Sequence, residues 1–202
     1  MSRKRYAVGR HETKMTGREH EADVLGSVRV SSQAYKNELA KVGEPSEQKD
    51  IPYVPYEKAF GLAEHHQPWD PTNPQNEFLR ELRLELYDQL GQDENARPDA
   101  VRMYTAVNTP LDRYFGIDGF VKYEAPDGSK YYATVDASLE QVKLKGGHKA
   151  DHVIGAIPSI YKEKEFIKSV EGHGKQVGAI LQRRQEQGRD GIRGIERPRY
   201  TA

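Results

Sequence analysis

The stretch GIDGFVKYEAPDGSKYYATVDASL, residues 116–139, carries the clearest structural signal in the chain. Two runs rich in aromatic and β-branched residues flank a Pro-Asp-Gly-Ser turn, and this arrangement predicts a β-hairpin. Successive side chains of a strand point to opposite faces. Asp118 is therefore expected to share a face of the first strand with Lys122, and Asp136 a face of the second strand with Ser138.

The position of the turn limits how the two strands pair, placing Asp118 opposite residue 136 or 137. In the first of these registers Asp118 and Asp136 lie side by side, with Cβ atoms about 4.5–5.5 Å apart. Two carboxylates this close repel each other unless a proton or a cation lies between them. Mg²⁺ binds one or two carboxylates together with water and substrate phosphate, and it promotes phosphodiester hydrolysis. The hairpin therefore predicts a site for Mg²⁺ (or Mn²⁺) at Asp118 and Asp136.

The elements around the hairpin predict a mixed α/β fold, with a mixed central sheet flanked by helices. Leucines at three- and four-residue spacing predict a helix over 76–90 that stops at Gly91. Strands are expected at 101–107 and within the apolar run 153–157. Two helices are expected after Pro158, at about 160–171 and 175–187, with glycines between them.

The chain divides into four segments by composition. Residues 1–50 are expected to form a flexible basic arm with one short helix around 32–42. Residues 51–75 belong to a proline-dense stretch, which predicts an extended segment without regular helix. Residues 76–172 are expected to form the α/β core, and 173–202 a basic helix and tail.

The overall composition excludes several classes of protein. The 202 residues have a mean hydropathy of −0.88 and include no cysteine, which rules out disulfides and cysteine-based metal sites. No apolar run is long enough for a membrane span, so no membrane partner is expected. The first residues lack the apolar segment of a secretory signal, which favours a cytoplasmic location, or a virion-associated one if the protein is viral.

The formal net charge is zero, but the charge is unevenly distributed. Residues 1–18 hold six basic residues and one acidic residue, and 174–202 hold seven basic and three acidic residues. Extended basic termini of this kind suit contacts with nucleic-acid phosphates or with anionic assembly partners. They are equally typical of solvated, disordered tails.

The hairpin and the residues before it resemble the core of the PD-(D/E)XK restriction-endonuclease-like nuclease superfamily. The resemblance covers residues 76–157 and is carried by TPLDRYFGIDGF at 109–120 and ATVDAS at 133–138. In that superfamily an acidic helix precedes a strand with an Asp, and a neighbouring strand carries a second acidic residue. The resemblance implies that Asp118 and Asp136 are metal ligands. It also implies a contribution from Glu81 or Glu85 of the predicted 76–90 helix.

The sequence departs from the superfamily pattern at one position. A lysine is expected two residues after the second acidic residue, and Ser138 stands there instead. Lys122 on the neighbouring strand, or Lys143 or Lys149 in the next segment, are the candidates to replace it. Asp151 is open to two interpretations, a third acidic group of the site or the entry residue of a strand.

Two functions are compatible with these features. The first is a metal-dependent nuclease, an endonuclease or exonuclease that hydrolyses DNA phosphodiesters. The second is a catalytically inactive structural or interaction component of a nucleoprotein or viral assembly. Neither a P-loop, a G-x-G-x-x-G motif nor a G-x-S-x-G motif is present, which argues against an NTPase, a dehydrogenase and an α/β-hydrolase.

Overall fold

A computed structural model describes residues 16–47, 50–139 and 149–192. In chain order the elements are α1 (Gly17–Leu25), α2 (Gln33–Val42), α3 (Tyr56–His65), α4 (Glu77–Gln89), β1 (Val101–Thr105), α5 (Pro110–Phe115), β2 (Gly119–Glu124), β3 (Lys130–Ala137), β4 (His152–Ile154) and α6 (Glu163–Glu186). The predicted Lys143 and the basic stretches 1–15 and 193–202 lie outside the described residues.

The four strands form one mixed sheet in the order β1-β2-β3-β4. The first three strands are antiparallel neighbours, while β4 runs parallel to β3. Gly119 pairs with Val135 and Glu124 with Lys130 across the predicted hairpin. The structure thus confirms the hairpin, the mixed sheet and the α/β class.

One face of the sheet carries the larger apolar core. Leu82 and Leu86 of α4 and Leu181 of α6 are fully buried there, together with Val121 and Ala133 of the sheet. Helix α1 adds to the same core through its last turn. The leucine spacing of α4 therefore marks the stripe that packs against the sheet, as predicted.

The opposite face is covered by α3 and α5 and is mostly aromatic. Phe120 stacks on Tyr104 with ring centroids 4.8 Å apart, and Phe60 of α3 lies at the same distance from Phe120. Tyr132 belongs to the same buried cluster. Pairs of this kind stabilise a core beyond their buried area by about 0.5–1.5 kcal/mol.

The prediction that 51–75 is extended without helix is wrong, because α3 spans Tyr56–His65. No proline falls within that range, and Pro55 occupies the position just before it. A proline there costs no hydrogen bond, since the first N–H groups of a helix have no partner inside the helix. The prolines bound the helix rather than preventing it.

The prediction that 1–50 is a flexible arm is also wrong for the part that the structure describes. The expected helix near 32–42 is present as α2, but α1 precedes it. A capping box at Thr16 and Glu19 fixes the start of α1, and Val24 and Leu25 are buried in the larger core. These residues are part of the folded domain.

The two helices predicted after Pro158 are one continuous helix, so the division at 172/173 falls inside α6. Its glycines allow close packing instead of breaking the helix. A Cβ atom at Gly174 would lie 2.2 Å from Cγ of Glu85, and one at Gly178 would lie 2.8 Å from Cβ of Gln89. Within 16–47, 50–139 and 149–192, no helix combines the length and apolar character that crossing a membrane requires.

Strand β4 is short, and other groups cover the part of the β3 edge that it leaves open. Asp151 accepts hydrogen bonds from the backbone N–H and the hydroxyl of Thr134, both at 2.7 Å. Arg184 of α6 donates to the carbonyl of Tyr132 and pairs with both carboxylate oxygens of Asp151, at 2.9 and 2.7 Å. These contacts satisfy backbone groups that an open strand edge would expose.

Candidate metal centre

Asp118 lies after the end of α5 and immediately before the first residue of β2, a central strand of the sheet. Its backbone N–H donates to the carbonyl of Val135 at 3.0 Å, which ties it to β3. Its side chain accepts a hydrogen bond from the backbone N–H of Ala137 at 2.9 Å and forms another with the carboxyl group of Asp136. The structure therefore brings Asp118 and Asp136 together, as strand alternation predicts.

Both members of this pair are buried, each with 3% of its surface exposed. Burial, and then the hydrogen bond and charge of Asp136, raise the pKa of Asp118 to about 9. The reason is that an ionised carboxylate loses its hydration in the interior and meets a second negative charge there. Without a cation, the pair holds a proton at neutral pH.

Asp112 reaches the same place from α5. Thr109 caps this helix through its hydroxyl, which accepts from the Leu111 N–H, and Pro110 occupies the first turn. The Asp112 side chain turns back to accept from the N–H of Asn108 at 2.8 Å. Burial raises the pKa of Asp112, and this hydrogen bond opposes the rise.

Glu21 of α1 completes an acidic cluster. One carboxylate oxygen from each of Glu21, Asp112 and Asp118 lies within 4.8 Å of the others. Asp118 is buried, while Glu21 and Asp112 are partly exposed, so the cluster reaches the surface. Its members come from two helices and the start of a strand, which are far apart in the sequence.

Sequence reasoning missed both Glu21 and Asp112. Asp112 stands inside the stretch 109–120 that carries the family resemblance, six residues before Asp118, but no periodicity singled it out. The sequence signal that could have found Glu21 is the capping box at Thr16 and Glu19. It marks the start of the helix that carries Glu21, in the segment 1–50 that was predicted to be an arm.

The donor set of this cluster fits a hard divalent cation. Carboxylate oxygens are the ligands that such ions prefer, and three from separate elements provide a partial coordination shell. The alternative to a cation is protonation, which the raised pKa values of Asp112 and Asp118 reflect. The cluster Glu21, Asp112 and Asp118 can therefore hold a metal ion, with Asp136 hydrogen-bonded beside it.

The structure does not bring the predicted Glu81 and Glu85 to this cluster. Both lie on α4, along a groove that α4 forms with α6, and no residue of the acidic cluster lines that groove. Glu81 lies 3.9 Å from Arg80, and Glu85 accepts from the Gln89 amide at 2.7 Å. The contribution implied for them is wrong because the leucine stripe of α4 turns toward the core and directs these glutamates outward.

Lys122 also lies away from the cluster. It shares a face with Asp118, as predicted, but the aromatic side chain of Phe120 stands between them on the strand. Its ammonium group donates to both carboxylate oxygens of Glu64 at 3.2 Å and lies 5.5 Å from the centre of the Tyr132 ring. Lys122 therefore takes part in an ion pair on the aromatic face.

The side chain of Lys149 lies next to Gly116, the residue that follows α5. A Cβ atom built on Gly116 would lie 3.5 Å from Cδ of Lys149, so this side chain runs beside the loop that leads to Asp118. Asp151, in contrast, is occupied by Thr134 and Arg184, which supports its interpretation as a strand-entry residue.

No protein-family model, curated protein or solved structure matches the chain.

Proposed function

We propose that the protein is a metal-dependent nuclease that hydrolyses phosphodiester bonds of DNA, with Mg²⁺ or Mn²⁺ held by the acidic cluster. The observation that carries this proposal is the convergence of Glu21, Asp112 and Asp118 within 4.8 Å, with Asp136 bonded to Asp118. The proposal also draws on the resemblance to restriction-endonuclease-like nucleases, through the strand that follows Asp118 and the neighbouring strand that carries Asp136.

Each residue of the cluster has a part in this proposal. Glu21 and Asp112 are the partly exposed ligands, and they face incoming substrate. Asp118 is the buried ligand, fixed by the Ala137 N–H. Asp136 orients Asp118 through their shared hydrogen bond. A divalent cation in this position supplies Lewis acidity toward a phosphoryl oxygen and activates water for attack.

Lys149 is the proposed replacement for the lysine that Ser138 displaces. Its side chain runs beside Gly116, two residues before Asp118 in the sequence. An ammonium group there would orient the attacking water or offset charge that develops on the phosphate. Lys122 is not proposed for this part, because Glu64 holds it.

A second feature supports nucleic acid as the substrate class. A cavity of about 350 Å³ at the end of α6 is lined by the cations Arg183 and Arg189, and also by Arg184, which is already paired with Asp151. Arginine matches the geometry of phosphate oxygens and accounts for a large share of backbone contacts in nucleic-acid complexes. The basic stretches 1–15 and 193–202 would add to this attraction.

Metal binding is tested by titrating Mn²⁺ and Mg²⁺ into the apo protein by calorimetry and by thermal unfolding. We expect the metal at 100 times its dissociation constant to stabilise the protein by about 2.7 kcal/mol. Glu21→Gln and Asp112→Asn should each weaken binding at least tenfold. Asp127→Asn, in the exposed hairpin turn, is the matched control and should leave binding unchanged.

Cleavage is tested with linear duplex DNA, single-stranded DNA and RNA in the presence of either metal. The wild type should cleave DNA, whereas the Asp136→Asn and Asp118→Asn variants should not cleave it. The Lys149→Gln variant should cleave DNA at least ten times more slowly than the wild type. If the wild type binds metal but is as inert as Asp136→Asn on every substrate, the nuclease proposal fails.

One observation favours the second function, a catalytically inactive component of a nucleoprotein or viral assembly. Asp118 and Asp136 are as buried as core residues, and a shared proton stabilises their contact without any metal. Under this alternative the protein binds no divalent metal at millimolar concentration and still assembles with its partner. The calorimetric titration therefore separates the two functions.

A further inference from the structure

Helices α4 and α6 form a groove of about 430 Å³ that no residue of the acidic cluster lines. The two helices run side by side, with Glu85 against Gly174 and Gln89 against Gly178. Toward the start of α6 they leave a channel between them. The floor of the channel is apolar and includes Leu84, Ile160 and Ile167, whose exposed fractions are 36%, 45% and 48%.

The rim of this groove is strongly acidic. Six carboxylates line it: Glu77, Glu81, Glu85, Asp88, Glu163 and Glu171. No lysine or arginine is among the described residues that line it. Arg80 lies beside the rim, 3.8 Å from Glu77 and 3.9 Å from Glu81, and offsets part of the charge.

The spacing of these residues matches a helical ligand. On α4 the lining residues recur from Glu77 through Leu84 to Asp88, and on α6 from Glu163 through Ile167 to Glu171, which is one face of each helix. The eleven steps from Glu77 to Asp88 span about 16 Å at about 1.5 Å per residue. A helix of three to four turns would therefore lie along the channel with its apolar side on the floor.

We propose that this groove binds a basic amphipathic helix of a partner protein. Contiguous exposed apolar surface framed by polar groups is typical of protein interfaces, and helix-in-groove binding uses apolar anchors at three- and four-residue spacing. Lysine or arginine side chains along the edges of that helix would meet the six carboxylates of the rim. The proposal does not rest on the nuclease function, because the groove and the acidic cluster share no residue.

A second copy of this chain fits the groove less well. In a twofold dimer the same patch of each copy would face its counterpart, placing six carboxylates against six. Like charges opposed across an interface disfavour association. Charge complementarity therefore selects a cationic partner.

The probe for the test is a synthetic helix of about 18 residues, long enough to span the groove, with leucine on one face and lysine on the other. A peptide with the same leucine face and glutamate in place of lysine is its counterpart. Fluorescence anisotropy at two salt concentrations measures both. We expect the lysine peptide to bind at least ten times more tightly than the glutamate peptide, with a difference that shrinks as salt rises.

The matched variants separate the groove from general attraction. Glu163→Lys/Glu171→Lys reverses two rim charges, and Glu165→Lys/Glu186→Lys makes the same change elsewhere on the same helix, where neither residue lines the groove. The first pair should weaken binding of the lysine peptide at least tenfold, and the second less than twofold. Circular dichroism checks that each variant is folded.

The floor is tested with Ile167→Ser, and Tyr161→Ser is its control because Tyr161 is 93% exposed and does not line the groove. Only the first should weaken binding. Equal binding of the two peptides, or equal losses in the groove and control variants, would overturn the proposal. Two other outcomes would also overturn it. A concentration-dependent dimer that Ile167→Ser abolishes would show that a second copy of the chain occupies the groove. A tenfold gain in peptide affinity on deleting residues 1–15 would show that the chain's own N-terminal stretch occupies it.

Discussion

The buried Asp118–Asp136 pair should make the metal-free protein lose stability as the pH rises, and Asp118→Asn should remove this dependence. The pKa of Asp118 is about 9 in the folded protein against an ordinary value of 3.8. Between these two values the folded state binds a proton that the unfolded state releases. The free energy of unfolding therefore falls as the pH rises from 3.8 to about 9, and no further above that range.

The size of the effect follows from linkage. One proton bound only by the folded state changes the free energy of unfolding by about 1.4 kcal/mol per pH unit. From pH 5 to pH 8, well inside the range, the loss is about 4 kcal/mol. That is a large share of the total stability of a domain, which is typically about 5–15 kcal/mol.

Asparagine at position 118 preserves the shape of the side chain and removes the ionisable group. Its carbonyl can accept from the Ala137 N–H, as Asp118 does, and its amide can donate to Asp136. The assay is urea unfolding of both proteins in EDTA at pH 5, 6, 7 and 8. We expect the stability advantage of the variant over the wild type to grow by about 4 kcal/mol between pH 5 and pH 8.

Asp127→Asn provides the control. Hydrogen bonds from Ser129 lower the pKa of Asp127, so it stays ionised in the folded and unfolded states across this range and should not change the slope. If the stabilities of wild type and Asp118→Asn run parallel from pH 5 to pH 8, then the pair does not hold the proton, and the account of how its carboxyl groups coexist fails.

Three further substitutions test the packing of α6. Gly174→Ala should destabilise the protein by about 1–3 kcal/mol, because its new methyl group overlaps Glu85. Gly172→Ala places its methyl group where no atom lies within 4 Å, so it should stabilise the protein by about 0.4–1 kcal/mol. Equal effects of the two substitutions in thermal unfolding would contradict the close contact between α4 and α6. Arg184→Met should cost about 3 kcal/mol in urea unfolding, because it leaves the Asp151 carboxylate without its bidentate partner. A loss below about 0.5 kcal/mol would mean that the pair resembles an exposed surface ion pair.

Local patterns in the sequence were sufficient for the sheet and for Asp118, one of the three residues of the acidic cluster. The turn at 126–129 and the alternation on either side fixed which strand faces carry Asp118 and Asp136, since both signals act between neighbouring residues. The capping and leucine spacing of α4 were equally local. The family resemblance, which no comparison tests, remains part of the proposal for function.

Predictions from composition were wrong where one residue type can either interrupt a helix or be compatible with it. Proline density suggested an extended segment at 51–75, yet Pro55 lies just before α3 and leaves it intact. Gly174 suggested a helix break, yet it permits contact with Glu85. The deciding factor in both cases is position relative to a neighbouring element.

The sequence by itself determined the hairpin, the strand faces that carry its two aspartates, and the amphipathic α4, because each depends on residues that are near one another in the chain. Only the tertiary structure decided that Glu21 and Asp112 join Asp118, and that Glu81, Glu85 and Lys122 do not. The physical reason is that a metal centre is assembled by helices and strands that pack from distant parts of the chain. Their side chains converge only when the apolar faces of α1, α5 and the sheet are buried together.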